Sequence, residues 1–132
     1  MKNTLLIVGG TGFFGLSILD FLNKNNNKFS KIIIVSRSRK NLLLKKFNNL
    51  NMKLINTDVD KMNILPKCDN IIYLISQKNY KNDIRSFKNF SKLLLKKKFK
   101  GNFLYASSGA VYNYSKSKSL SNNIYNNYAK AK

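Results

Sequence analysis

Seven residues near the start of the chain, Gly9-Gly10-Thr11-Gly12-Phe13-Phe14-Gly15, constrain the fold more than any others. They follow a short apolar run, Thr4–Val8, and precede Phe13–Leu22, where Phe14, Ile18 and Leu22 recur at helical spacing. A continuous apolar run closed by glycines is the pattern of a strand buried on both faces. Between such a strand and a helix, glycines at these positions shape a turn that receives a dinucleotide pyrophosphate. Gly9 allows the sharp turn, Gly12 lets the backbone approach the phosphates, and Gly15 lets the helix pack close to the sheet. The helix N-terminus supplies open N–H groups and a partial positive charge. No Gly-Lys-Ser/Thr follows, so the turn is not that of a nucleoside-triphosphate P-loop.

The rest of the chain repeats the alternation. Lys31–Ser36 is a second buried strand, and Ser38 caps a predicted helix running to about Asn48. Met52–Asn56 is a shorter third strand and Asn70–Ser76 a fourth. Asp83–Lys98 reads as a long helix with Ile84, Phe87, Phe90, Leu94 and Leu95 inward. Asn102–Ser107 is a fifth strand, the polar stretch Tyr114–Asn123 interrupts the pattern, and a last helix starts near Tyr125. Strands alternating with helices predict an α/β doubly wound parallel sheet, a Rossmann fold with helices on both faces. Ligands of such sheets bind beyond the carboxyl ends of the strands, at the switch in strand order. That singles out Gly9–Gly15, Ser36-Arg37, Asp58, Leu74-Ile75-Ser76 and Ser107-Ser108, and Val59 beside Asp58 is counted with the cofactor-binding candidates.

At 132 residues, 43% of them hydrophobic, the chain suits one domain with a real core. Its formal net charge of +20 raises the question of nucleic acid. Of 25 basic residues only Arg37, Arg39 and Arg85 are arginine, and the lysines are spread through nearly every polar segment. We read them as solvated faces rather than as a nucleic-acid stripe, which stays a remote alternative. The charge still steers phosphorylated ligands toward the protein. With no His and a single cysteine, Cys68, the chain has neither His-based triads nor an internal disulfide, and no metal site is expected. The lone thiol fits a reducing compartment, and no apolar run approaches the roughly 18 residues of a membrane span, so a cytoplasmic protein without membrane contact is expected.

The end of the second strand bears on the choice of cofactor. An NAD site places a carboxylate there for the ribose 2′-hydroxyl. This chain has Ser36-Arg37-Ser38-Arg39-Lys40, so Arg37 is a candidate partner for a 2′-phosphate and NADP is preferred over NAD. Further on, Tyr128 and Lys132 lie four apart on the last helix and so share a face. A phenol titrates near ~10, and a neighbouring ammonium lowers that value. The pair suits proton exchange with a substrate hydroxyl while a nicotinamide moves hydride, with Ser108 bonding the same oxygen.

Taken in order, these motifs resemble those of the extended short-chain dehydrogenases/reductases, the NAD-dependent epimerase/dehydratase group. The glycine turn is similar to that family's, including Thr11, Phe13 and Phe14. Thr57-Asp58-Val59-Asp60 resembles its acidic motif, and the resemblance implies that Asp58 meets the adenine. Asp69–Ser76 resembles its fourth-strand segment without the usual His-Leu-Ala-Ala, and Tyr105–Tyr112 its serine-bearing strand, which makes Ser108 the catalytic serine. Tyr128-Ala129-Lys130-Ala131-Lys132 matches Tyr-x-x-x-Lys, which implies catalytic Tyr128 and Lys132, with Lys132 also holding the nicotinamide ribose. The family's structural Asn on the helix after strand four is replaced near Asp83. The implied substrate is a nucleotide sugar. Residues 1–132 would be the NAD(P)-binding domain of an epimerase, dehydratase or reductase whose substrate domain is absent from this chain. The alternative is a binding module without turnover that needs a second copy or a complementing chain. Asp58-Val59-Asp60 also has the Asp-x-Asp form of metal-dependent glycosyltransferases, but no further carboxylate or His cluster accompanies it.

Overall fold

The computed structural model describes residues 3–25, 28–38 and 45–107. Five strands, β1 (Thr4–Val8), β2 (Lys31–Ser36), β3 (Met52–Asn56), β4 (Asn70–Tyr73) and β5 (Asn102–Tyr105), form one parallel sheet in the order β3-β2-β1-β4-β5. Two helices, α1 (Phe13–Lys24) and α2 (Tyr80–Lys96), and a single 3-10 turn (Val59–Lys61) are described beside it.

The sheet is buried on both faces because alternate residues of its central strands point opposite ways. Leu6 and Val8 of β1 join Ile33, Val35, Ile71, Tyr73 and Phe90 in one core. Leu5 and Ile7 join Ile32, Ile34, Leu19, Phe47 and Leu50 in the other. Helix α1 covers the second core through Leu16, Ile18, Leu19 and Leu22. Helix α2 covers the first through Phe87, Phe90, Leu93 and Leu94. Helices on both faces of a parallel sheet are the architecture that the alternation predicts.

The boundaries of β1, β2 and β3 fall where the apolar runs place them. Elsewhere the structure corrects the sequence reading. Strands β4 and β5 stop at Tyr73 and Tyr105 rather than at Ser76 and Ser107. Leu74 and Ile75 keep a strand's composition, but beyond the Leu74 N–H, which donates to Val8 O at 2.9 Å, the chain leaves the ladder. Helix α2 starts three residues before Asp83, because the Asn79 side chain caps it by accepting from the Lys81 and Asn82 amides. Leu95 is 76% exposed, since the buried stripe through Asp83, Ser86 and Phe90 turns away from it. The stretch from Ser38 to Asn48, expected as a helix, falls partly outside the described residues. Its described end is not helical: residues 45–50 form turns, in which Phe47 and Leu50 plug the core.

At the opposite end of the sheet from the strand C-termini, Cys68 is half-buried under Leu65 and Phe99. Burial, and after it the Asp69 carboxylate, push its thiol up to about 11. Only the thiolate reacts, so at pH 8 iodoacetamide should label Cys68 about 100-fold more slowly than a free cysteine. The rate should climb about tenfold per pH unit toward pH 11. The sign for stability follows: an acid whose folded value is raised favours the fold while neutral, a contribution fully present below the unfolded value and lost as pH rises from there through the folded value of about 11. Rapid, pH-independent labelling at pH 8 would contradict this environment.

Candidate functional site

The chain runs β1 to β2 to β3 in one direction along the sheet, then crosses back over β1 to β4 and on to β5. The reversal lies between β1 and β4, and a cleft of about 320 Å³ opens there at the strand C-termini. Its floor is the glycine turn: Gly9, Thr11 and Gly12. Val35, Ser36, Arg37 and Ser38 line the β2 side, Thr57 and Val59 the β3 side, and Leu74, Ile75 and Ser76 the β4 side.

The turn is built for close approach. Gly9 has φ +87°, a conformation that side chains other than hydrogen rarely adopt, and its N–H donates to Val35 O at 2.8 Å. Gly15 lies beneath the floor; a Cβ there would lie within 2.5 Å of the Gly10 Cα and carbonyl carbon. Gly12 differs from both. A Cβ at Gly12 would meet only Gly9 O, at 3.4 Å, so the protein itself leaves room at this position, which lines the cleft. Gly12 is also the N-cap of α1, with no side-chain cap and no acidic residue in the first turn. The first amides of the helix have no intrahelical acceptors. An anion in the cleft would supply the missing acceptors and meet the positive end of the dipole.

On the β2 side, Ser36 is buried and its hydroxyl lies against that of Thr11, while the Ser38 amide donates to Ser36 Oγ at 3.3 Å and Ser38 Oγ lies 3.4 Å from Thr11 Oγ1. Hydroxyls therefore occupy the position where a carboxylate would hold a ribose diol. Arg37 is exposed at the rim, with its guanidinium 3.9 Å from Asp58 Oδ2. With the guanidinium largely exposed and 3.9 Å away the pair is worth little, so an incoming phosphate can compete for the arginine. Asp58 Oδ1 accepts from the Asp60 amide at 3.0 Å and so caps the 3-10 turn.

Of the residues singled out from the sequence, Gly9, Thr11, Gly12, Ser36 and Arg37 converge on the cleft, together with Val59, Leu74, Ile75 and Ser76. Gly15 supports it from below. Phe13 and Phe14, 81% and 69% exposed, project from the first turn of α1, and Asp58 sits at the rim. Val35, Ser38 and Thr57 also line the cleft; the sequence offers Ser38 as a helix cap and Thr57 as part of the acidic motif, and nothing in it marks Val35 beyond its place near the end of β2. Ser108, Tyr128 and Lys132 lie outside the described residues. Among the described residues no group of His, Cys, Asp and Glu is placed to hold a metal ion, and no helix is long and apolar enough to cross a membrane.

No family model and no curated protein matches the sequence. Solved structures do match the fold. A short-chain dehydrogenase/reductase from Saccharomyces cerevisiae superimposes with a TM-score of 0.72 at 17% identity, over 98% of this chain and 60% of its own. The UDP-Glc/GlcNAc 4-epimerase of Campylobacter jejuni gives 0.71 at 17% identity, over 98% and 46%. The Bordetella bronchiseptica enzyme WbmF, in complex with NAD+ and UDP, gives 0.63 at 16% identity, over 98% and 43%. The chain has the Rossmann fold of these enzymes. It spans less than two thirds of the length of each of them.

Proposed function

We propose that the cleft binds an NAD(P) dinucleotide, and that the chain is the cofactor half of an extended short-chain dehydrogenase/reductase acting on a nucleotide sugar. The observation that carries this reading is the uncapped N-terminus of α1, which opens through Gly12 into a cleft at the strand-order switch. The fold shared with a nucleotide-sugar epimerase supports the substrate class. When bound, the nicotinamide supplies hydride transfer. Gly9 and Gly12 admit the pyrophosphate, and Leu74–Ser76 and Val59 wall the dinucleotide. Tyr128 exchanges the proton of the substrate hydroxyl, Lys132 lowers its pKa and holds the ribose, and Ser108 orients the same oxygen.

NADP is the preferred cofactor in this reading, because hydroxyls replace the carboxylate at Ser36 and Arg37 stands at the rim. Fluorescence titration should show saturable binding of NADPH, tighter than of NADH. Arg37→Ala should weaken NADPH binding by about 10- to 100-fold, the worth of a charge-assisted bond, and leave NADH almost unaffected. The absence of saturable binding for either dinucleotide would refute the cofactor reading; equal losses for both would remove the NADP preference.

The chain spans 43–60% of the length of the solved structures above. A second reading is that it binds the dinucleotide without turnover of its own. Turnover of a nucleotide sugar by the isolated chain at ordinary rates would refute this second reading.

A further inference from the structure

The two walls of the cleft belong to segments that the sheet does not join. Val59 follows β3 and Leu74–Ser76 follow β4, and in the sheet order β2 and β1 stand between those strands. Helix α2 spans the gap through a chain of polar groups. The Gln77 amide, next to Ser76, donates to Asp83 Oδ1 at 3.1 Å. The Gln77 side-chain amide donates to Ser86 Oγ at 2.6 Å, and the Ser86 hydroxyl donates to Asp60 Oδ2 at 3.0 Å. Asn89 Nδ2 donates to Asp60 Oδ1 at 3.1 Å, and Arg85 reaches Asp60 Oδ2 at 3.6 Å. Asp60 sits in the 3-10 turn beside Val59.

Ser86 is fully buried and Asp83 is 3% exposed, on a helix face otherwise packed with Phe87 and Phe90. A serine hydroxyl has one hydrogen; with its oxygen accepting from Gln77, that hydrogen is committed to Asp60. Buried polar groups left unsatisfied are costly, so each of these bonds holds its partners in place. None of Asp60, Gln77, Asp83 and Ser86 lines the cleft.

We infer that Ser86, with Gln77, is a positioning residue for the dinucleotide: it clasps the Leu74–Ser76 wall to the Val59 wall and sets the width of the cleft between them. The inference rests on the cofactor reading above. A polar clasp in an aromatic core is the kind of support that fixes a binding geometry from behind, where small displacements cost binding.

The test is NADPH titration, followed by fluorescence, on the wild type, Ser86→Ala, Ser86→Thr and Leu93→Ala, with thermal melts of each. Leu93 packs against the same core from this helix, takes no part in the clasp's hydrogen bonds and serves as the structural control. The expected result is a Kd raised about tenfold by S86A, restored to within about twofold by S86T, which keeps the hydroxyl. L93A should lower the Tm with no comparable change in Kd. If S86A does not fold, Gln77→Ala, at a half-buried loop position, opens the same clasp and should give the same loss. Wild-type Kd in S86A or Q77A, or an equal loss in L93A, overturns the inference while leaving the cofactor reading intact. No NADPH binding by the wild type overturns both.

Discussion

Replacing Gly15 with alanine is expected to destabilise the protein by about 3 kcal/mol and to abolish dinucleotide binding. The new methyl group would collide with the Gly10 Cα, carbonyl carbon and carbonyl oxygen, all of them backbone atoms that cannot swing aside. Gly10 cannot retreat either: a Cβ built on it lies only 2.8 Å from Ile34 Cγ2 and 3.1 Å from Ile7 Cγ2, so its far side is packed against the core. The helix must therefore lift from the sheet, carrying its N-terminal amides out of the cleft. For a chain of this size the Tm should fall by roughly 10 °C. Gly12→Ala provides the contrast. Its Cβ meets only Gly9 O at 3.4 Å, so stability should change by less than about 0.5 kcal/mol. NADPH binding should nevertheless be lost, because the methyl group fills the side that the pyrophosphate approaches. Melting curves and titrations of both variants separate the two roles. If G12A binds NADPH like the wild type, the pyrophosphate is not at this turn.

The second large effect belongs to Phe90, which is fully buried between helix α2 and the sheet. Its ring lies 5.2 Å from that of Tyr73 and 6.4 Å from that of Phe103, inside an aromatic cluster that also holds Phe87 and Tyr105. Phe90→Ala removes contacts on every side and leaves a cavity that neighbouring rings cannot fill, at an expected 3–5 kcal/mol measured by urea unfolding, while Phe90→Leu should cost about 1 kcal/mol. The same helix carries Asp83 and Ser86, so F90A should also weaken NADPH binding. The Tyr73 phenol lies in this cluster, makes no hydrogen bond to the described residues, and is pushed up by burial and then by the Asp83 carboxylate. A cost below 1 kcal/mol for F90A would mean that α2 is not held by this cluster.

Much of the architecture was legible before any coordinates. Strands β1, β2 and β3 fell on their apolar runs because burial on both faces leaves a continuous signature in a parallel sheet. Composition misleads where it parts company with hydrogen bonding. Leu74 and Ile75 are apolar like a strand, yet they follow the end of β4 and wall the cleft. Leu95 is apolar like the core, yet the helical period places it in solvent. Phe47 and Leu50 are core residues held by turns, which no periodicity announces.

The glycine turn belongs to the part that local sequence sets, because its demands are local. One glycine takes a positive φ, one packs against backbone five residues before it, and one meets a single carbonyl oxygen at contact distance, all within a single strand–turn–helix unit. The width of the cleft beside it belongs to the other part. Strand order alone places Val59 opposite Leu74–Ser76, and the clasp that ties those walls joins Gln77, Ser86 and Asp60 through bonds between residues nine and 26 apart. Side-chain hydrogen bonds at such separations leave neither period nor motif in a sequence, and they exist only once α2 has packed across the ends of β3 and β4.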